Sequence, residues 1–164
     1  MAGTDGIATV RPDGVFLLAG ERYRAALGRA GVRAEKSEGD GATPVGLLPL
    51  RRVLYRADRV AVPRERIAPA DGWCDDPADP AYNRMIRLPH PASHEELWRR
   101  DGLYDIIGVL GWNDDPPRPG RGSAIFLHVA TVDFAPTAGC IALALPDLRA
   151  VLAAGLRGVA VSGG

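Results

Sequence analysis

Cys140 and His128 are the side chains of this sequence best suited to covalent chemistry. A thiol reacts as its thiolate, and a free cysteine titrates near about 8.5, so Cys140 needs an activator. His128 is the only polar side chain in the apolar run Ala124 to Ala130. A neutral imidazole there is partly desolvated, which lowers its pKa and keeps it available as a base. Gly139, directly before Cys140, permits a sharp turn and close approach of a substrate to the backbone. The amide N–H groups of Gly139 and Cys140 can then face a developing oxyanion. The separation, 140 − 128 = 12 residues, leaves room for a strand, a turn and a return strand that brings the two side chains together. Taken alone, a cysteine and a histidine more often mean a buried structural thiol and a satisfied core imidazole.

Other residues compete for attention. Cys74 is a rival nucleophile, but it lies beside Asp75 and Asp76, which raise rather than lower a thiol pKa, and no glycine precedes it. Arg121, in a Gly-Arg-Gly context, can hold a substrate carboxylate bidentately or stand as a solvated loop residue. Asp105 and Asn113 flank the strand Ile106 to Leu110 and can reach a groove, although a turn explains Asn113 equally well. Thr137, three residues before Cys140, is a further candidate substrate contact. His90 and His94 with Cys74 and Cys140 offer zinc-type ligands. Without a Cys-x-x-Cys unit, and with Pro91 between the histidines, the expectation is no metal and no cofactor. Gly39-Asp40-Gly41 lacks the glycine spacing and the Lys-Ser/Thr ending of a phosphate loop.

The elements that must position these residues read mainly as strands. Ile7 to Arg11 and Val15 to Ala19 flank Pro12-Asp13-Gly14 as a hairpin. Glu21 to Leu27 reads as a strand with some helical character, Gly28 to Thr43 as loop, and Pro44 to Tyr55 as holding a strand. Arg56 to Pro91 looks irregular, a loop either functional or poorly ordered. Ser93 with Glu96 three residues on is a capping-box pattern that predicts a helix over 95–100. Ala124 to Ala130 reads as a strand buried on both faces. Cys140 to Leu145, a helix from Pro146 to about Ala154, and a last strand from Gly158 to Ser162 complete the chain.

Bulk properties set the outer limits. The 164 residues suit a single domain, 1–164, large enough for a core without disulfides. With 14 Pro and 20 Gly, turns are many and a helix bundle is disfavoured. A formal net charge of +0 argues against a general nucleic-acid binder. No stretch approaches the roughly 20 apolar residues of a membrane span, and no signal peptide is visible. Two cysteines make no disulfide framework, and free thiols are expected.

Gly122-Ser123-Ala124-Ile125-Phe126-Leu127-His128, followed by Thr137-Ala138-Gly139-Cys140-Ile141-Ala142-Leu143, resembles the L,D-transpeptidase (YkuD-type) catalytic domain. So do Thr43-Pro44-Val45-Gly46, and, for a shorter subgroup, Trp73-Cys74-Asp75-Asp76, Tyr82-Asn83, Leu97-Trp98 and Tyr104-Asp105. Many members read Ser-His-Gly-Cys-Ile-Arg. Here Ala138 and Ala142 stand where that His and Arg would be. The resemblance implies a mainly β, mixed-sheet, sandwich-like domain with a few short helices. It implies an acyltransferase with Cys140 as nucleophile and His128 as proton acceptor and donor. The Val129 backbone carbonyl would orient the imidazole, and peptidoglycan stem peptides would be the partners. It also implies 3→3 cross-linking through a Cys140 thioester, with an L,D-carboxypeptidase or amidase, or a silent wall-binding module, as alternatives. The family implies the cell envelope or periplasm; a full-length chain without a signal would be cytoplasmic.

Overall fold

The computed structural model describes residues 5–163. Fourteen strands and one α-helix run in the order β1 Ile7–Val10, β2 Val15–Leu18, β3 Glu21–Ala26, β4 Val32–Arg33, β5 Thr43–Pro44, β6 Gly46–Tyr55, β7 Glu65–Arg66, β8 Asp71–Cys74, β9 Met85–Arg87, β10 His94–Glu96, β11 Ile106–Leu110, β12 Phe126–Val129, β13 Ile141–Leu143, α1 Leu145–Ala153 and β14 Gly158–Val161 among the described residues.

The first hairpin shows how local chemistry sets an element. Asp13 Oδ1 accepts the Val15 N–H at 3.1 Å, and Gly14 takes a φ of 85°. A Cβ at Gly14 would lie 2.6 Å from the Ala25 carbonyl oxygen, so only glycine fits the turn. The strands then join a nine-stranded mixed sheet, order β11-β12-β13-β3-β2-β1-β14-β6-β7. The ten-residue β6 pairs with β14 through its first half and with β11 through its second. That double pairing curls the sheet into a barrel-like closure, so the expected mixed-sheet layers are faces of one sheet bent on itself. Helix α1 has proline in its first turn and buries Leu148, Val151 and Leu152, spaced i, i+3, i+4, on the barrel.

Two expectations fail in the segment before β11. Residues 56–91 are no structureless loop: β8 pairs with both β9 and β10 in a separate three-stranded sheet. His94–Glu96 is a strand of that sheet instead of the start of a helix. Ser93, the expected cap, donates to Asp75 Oδ1 at 2.6 Å. Pairing with Gly72–Cys74, remote in sequence, overrides the local capping pattern. This small sheet packs its Trp73 edge-on against Phe126 of β12, ring centroids 5.1 Å apart.

Strand β12 is therefore covered twice. Ile125 and Leu127 belong to the barrel core with Ile141 and Leu143. Ala124 and Phe126 belong to a second core with Trp73, Leu97, Tyr104 and Cys140. Alternation of side chains along a strand sends successive residues to these two cores, which explains the almost unbroken apolar run.

Candidate active site

Strands β12 and β13 are parallel, with Leu127 opposite Ile141 and His128 opposite Ala142. The expected return strand is thus a crossover, and residues 130–140 make it. The consequence is specific. Cys140, one residue before Ile141, falls beside Phe126 and on the same face as His128, one strand across and two residues along. Both side chains line one partly open cavity of about 380 Å³.

The segment Thr137–Cys140 is fixed by its own hydrogen bonds. Thr137 Oγ1 donates to the Cys140 carbonyl at 2.7 Å and accepts the Gly139 N–H at 3.0 Å. The Thr137 backbone exchanges bonds with Leu27 and Arg29, each at 2.9 Å, which ties the loop to the end of β3. Gly139 has a φ of 136°, and a Cβ there would lie 2.7 Å from the Ala42 carbonyl oxygen. No other residue fits that position without moving the backbone that precedes Thr43. Thr137 lines the cavity, but its hydroxyl is spent on the backbone. The Gly139 N–H is likewise engaged.

The sulfur sits in a dry environment. Cys140 is 7% exposed. Its Sγ accepts the Phe126 N–H at 3.4 Å and donates to the Ala124 carbonyl at 3.2 Å. Burial pushes the thiol up to about 12, and the Glu95 carboxyl adds to the rise; the Phe126 amide, Lys36 and Arg99 oppose it. His128 is 6% exposed. Burial holds its pKa below the ordinary value, against the hydrogen bond to Val129 and with the Arg99 charge. The His128 Nδ1 meets the Val129 carbonyl at 2.9 Å, so Nδ1 carries the proton and Nε2 is the basic nitrogen. Both shifts favour neutral thiol and neutral imidazole over a resting thiolate–imidazolium pair.

Tyr104 packs edge-on against His128, centroids 5.4 Å apart, and its hydroxyl donates to Glu95 Oε1 at 2.5 Å. Burial raises both groups' pKa values. Glu38 Oε1 accepts from the Tyr82 and Ser123 hydroxyls, each at 2.6 Å, at another edge of the cavity. Asn83 Oδ1 accepts from Trp73 Nε1 and from the Ala124 N–H, both at 3.0 Å. It thereby holds Ala124 at a φ of 53° and aims that carbonyl at the cysteine. Glu38 and Glu95 carry no sequence signal for a site role. Asn83 and Tyr104 stood only inside the resemblance, with no role attached.

Three expected substrate contacts lie outside the cavity lining. Asp105 is paired with Arg59 at 3.1 Å. Asn113, at a φ of 50°, donates to the Arg118 and Gly122 carbonyls at 2.9 Å, so the turn-forming explanation accounts for it. Arg121 is exposed, and its carbonyl takes the Trp112 Nε1 proton at 2.9 Å. Short polar side chains beside a strand satisfy turns as readily as ligands, and the sequence does not separate the two. Both cysteines are free thiols. Cys74 is fully buried and bonded to Asp79 at 3.5 Å; burial raises its pKa, and Asp79 and Asp75 add to the rise.

Residues 10–161 match the YkuD family, the L,D-transpeptidase catalytic domain. The chain belongs to that family. The YkuD domain thus accounts for nearly the whole sequence. Among solved structures it is similar to the helical cell shape determining protein Pgp2 from Campylobacter jejuni, at 16% identity and a TM-score of 0.46, covering 95% of this chain and 46% of that one. A point mutant of the same protein gives 17% identity and a TM-score of 0.41 over the same shares. This YkuD domain therefore spans about half the length of those chains. No curated protein matches the sequence. No helix among the described residues is long and apolar enough to cross a membrane.

Proposed function

We propose that this YkuD domain is an L,D-transpeptidase that forms 3→3 peptidoglycan cross-links through a Cys140 thioester, in the cell envelope where that substrate lies. The observation that carries the reading is the placement of Cys140 and His128 on one face of adjacent parallel strands, in one cavity.

The chemistry follows from the resting hydrogen bonds. With a buried neutral thiol, free thiolate is scarce at pH 7, so proton transfer accompanies attack. A stem peptide entering the cavity draws the sulfur from the Ala124 carbonyl toward the donor carbonyl. His128 Nε2 takes the thiol proton, and the Val129 carbonyl holds the imidazole in the tautomer that leaves Nε2 basic. The sulfur bonds to the carbonyl carbon of the third stem residue, and the oxyanion meets the Cys140 N–H. His128 returns the proton to the departing nitrogen, and terminal D-Ala leaves. The side-chain amine of a second stem's third residue then attacks the thioester and restores the thiol. Ala138 and Ala142 line the cavity where many relatives carry His and Arg, while Arg29, Lys36 and Arg99 reach it from other segments. Arg29 serves here as the contact for a stem carboxylate.

The test is incubation with disaccharide-tetrapeptide and mass analysis of the products. A 3→3 dimer with release of D-Ala is expected. Tripeptide without dimer makes water the acceptor and the enzyme a carboxypeptidase. No turnover by folded protein, with no acyl-enzyme trapped, leaves a wall-binding module.

A further inference from the structure

A further titratable cluster stands among residues outside the cavity lining. Cys74 Sγ, Asp79 Oδ2 and His90 Nε2 all fall within 4.8 Å of one another. The sulfur is 3.5 Å from the carboxylate oxygen, and the imidazole nitrogen is 3.2 Å from the same oxygen. We propose that Cys74, Asp79 and His90 bind a zinc-type divalent cation, with a solvent-derived fourth ligand.

Four observations support a metal over a chain of hydrogen bonds. The first is spacing. Tetrahedral bonds of about 2.3 Å to sulfur and about 2.0–2.2 Å to nitrogen and oxygen put neighbouring donors about 3.4–3.6 Å apart; the sulfur–oxygen and nitrogen–oxygen pairs stand at 3.5 and 3.2 Å, and all three donors lie within 4.8 Å of one another. The second is donor chemistry. One thiolate, one imidazole and one carboxylate suit zinc rather than magnesium or calcium, and a dication cancels their summed charge. The third is support around the ligands. Asp79 Oδ2 also accepts the Ala81 N–H at 2.9 Å, and Cys74 is anchored in β8 between β9 and β10. The fourth is access. Cys74 is fully buried, whereas the His90 and Asp79 side chains are 21% and 16% exposed, so the open position faces solvent. In sequence, Cys74, Cys140, His90 and His94 show no zinc-ligand spacing; the fold instead brings the Asp79 carboxylate, five residues after Cys74, beside Cys74 and His90.

Binding converts the thiol to a metal-bound thiolate and releases its proton to solvent; no electrons move. The cation would pin Trp73–Pro77 to the segment before β10. Glu95 of that small sheet and Asp75, which follows β8, stand in the cavity wall, so the metal is a clamp on the substrate wall and takes no part in acyl transfer.

The experiment uses the full chain without an affinity tag, stripped with chelator and dialysed against zinc or cobalt. Expected are one zinc per chain by mass spectrometry and a cobalt adduct with a thiolate charge-transfer band and the intense visible bands of tetrahedral geometry. Cys74→Ser removes the charge-transfer band, His90→Gln weakens binding at least about tenfold, and Cys140→Ala changes neither. Substoichiometric metal, a weak octahedral cobalt spectrum, or loss of the band in Cys140→Ala overturns the proposal. Where Cys74→Ser does not fold, the wild-type spectrum and the Cys140→Ala control still decide. Carbapenem acylation at Cys140 is read separately, so failure here leaves the transpeptidase reading standing, and the reverse holds too.

Discussion

The two cysteines are both buried, both free and both raised in pKa, yet their surroundings differ in kind. Cys140 has the Glu95 carboxyl adding to its rise, and against it a backbone N–H on its sulfur, the opposing cations Lys36 and Arg99, and a histidine on the same face. Cys74 also has a backbone N–H, that of Asp76, lowering its pKa, but a carboxylate sits on its sulfur and a second acidic side chain adds to its rise. The first setting stabilises a developing thiolate as soon as a base accepts the proton. The second opposes a thiolate unless a cation arrives. Burial alone therefore says little about whether a thiol reacts; the sign of the charge waiting beside it says more.

Removing the base should break this contrast most severely. In His128→Ala, acylation at Cys140 should slow by about 10²–10⁴-fold, the usual share of a positioned general base. Single-turnover rates with a carbapenem measure it. A smaller loss would mean that another group takes the thiol proton.

Gly139→Ala should come next. The new methyl meets the Ala42 carbonyl at a backbone conformation that L side chains avoid. A strain of about 1–3 kcal/mol is expected, read as a lower Tm together with slower acylation, because the strained turn carries Cys140, the proposed nucleophile. Unchanged acylation would separate the turn from the chemistry.

The pH dependence sharpens the contrast by less. His128 titrates below its ordinary 6.5 in the folded chain, because burial disfavours the charged imidazolium. The unfolded chain then binds more protons as pH falls through 6.5, so this group's contribution to stability is whole above 6.5 and is lost toward its lower folded value. Acylation should hold in the same direction, declining only below pH 6.5. Urea denaturation and acylation rates measured across pH 4–8 check both. A decline that begins above 6.5 would contradict a desolvated base.

Glu95→Gln is the mildest change. It removes the carboxyl that raises the Cys140 thiol while leaving an acceptor for the Tyr104 hydroxyl. Alkylation of Cys140 by iodoacetamide should quicken, and that of Cys74 should stay slow. No change at Cys140 would mean that Glu95 is already neutral at the working pH.

The sequence made the barrel's strands legible and left the site's wall opaque, for one physical reason. Strands such as β1, β2, β11 and β12 show their apolar pattern, and helix α1 has a proline in its first turn with an apolar stripe behind it. These signals are local. Strands β8, β9 and β10 are three or four residues long and form only by pairing residues 12–24 positions apart. Ser93 and Glu96 therefore look like a helix cap until Asp75 and β8 come alongside. Cys140 and His128 stand out as a candidate pair because glycine before cysteine, and histidine in an apolar strand, are unusual. Glu38, Glu95 and Asn83 were not, because a carboxylate or an amide on the surface and one in a cavity look the same in sequence. The parallel pairing of β12 with β13 was also hidden, since twelve residues accommodate a return strand as well as a crossover.

The most direct measurement is peptide mapping of the intact protein after exposure to a carbapenem. A single adduct on the peptide containing Cys140, absent in Cys140→Ala, with Cys74 unmodified, is the predicted result. An adduct on Cys74, or none on folded protein, would contradict the account.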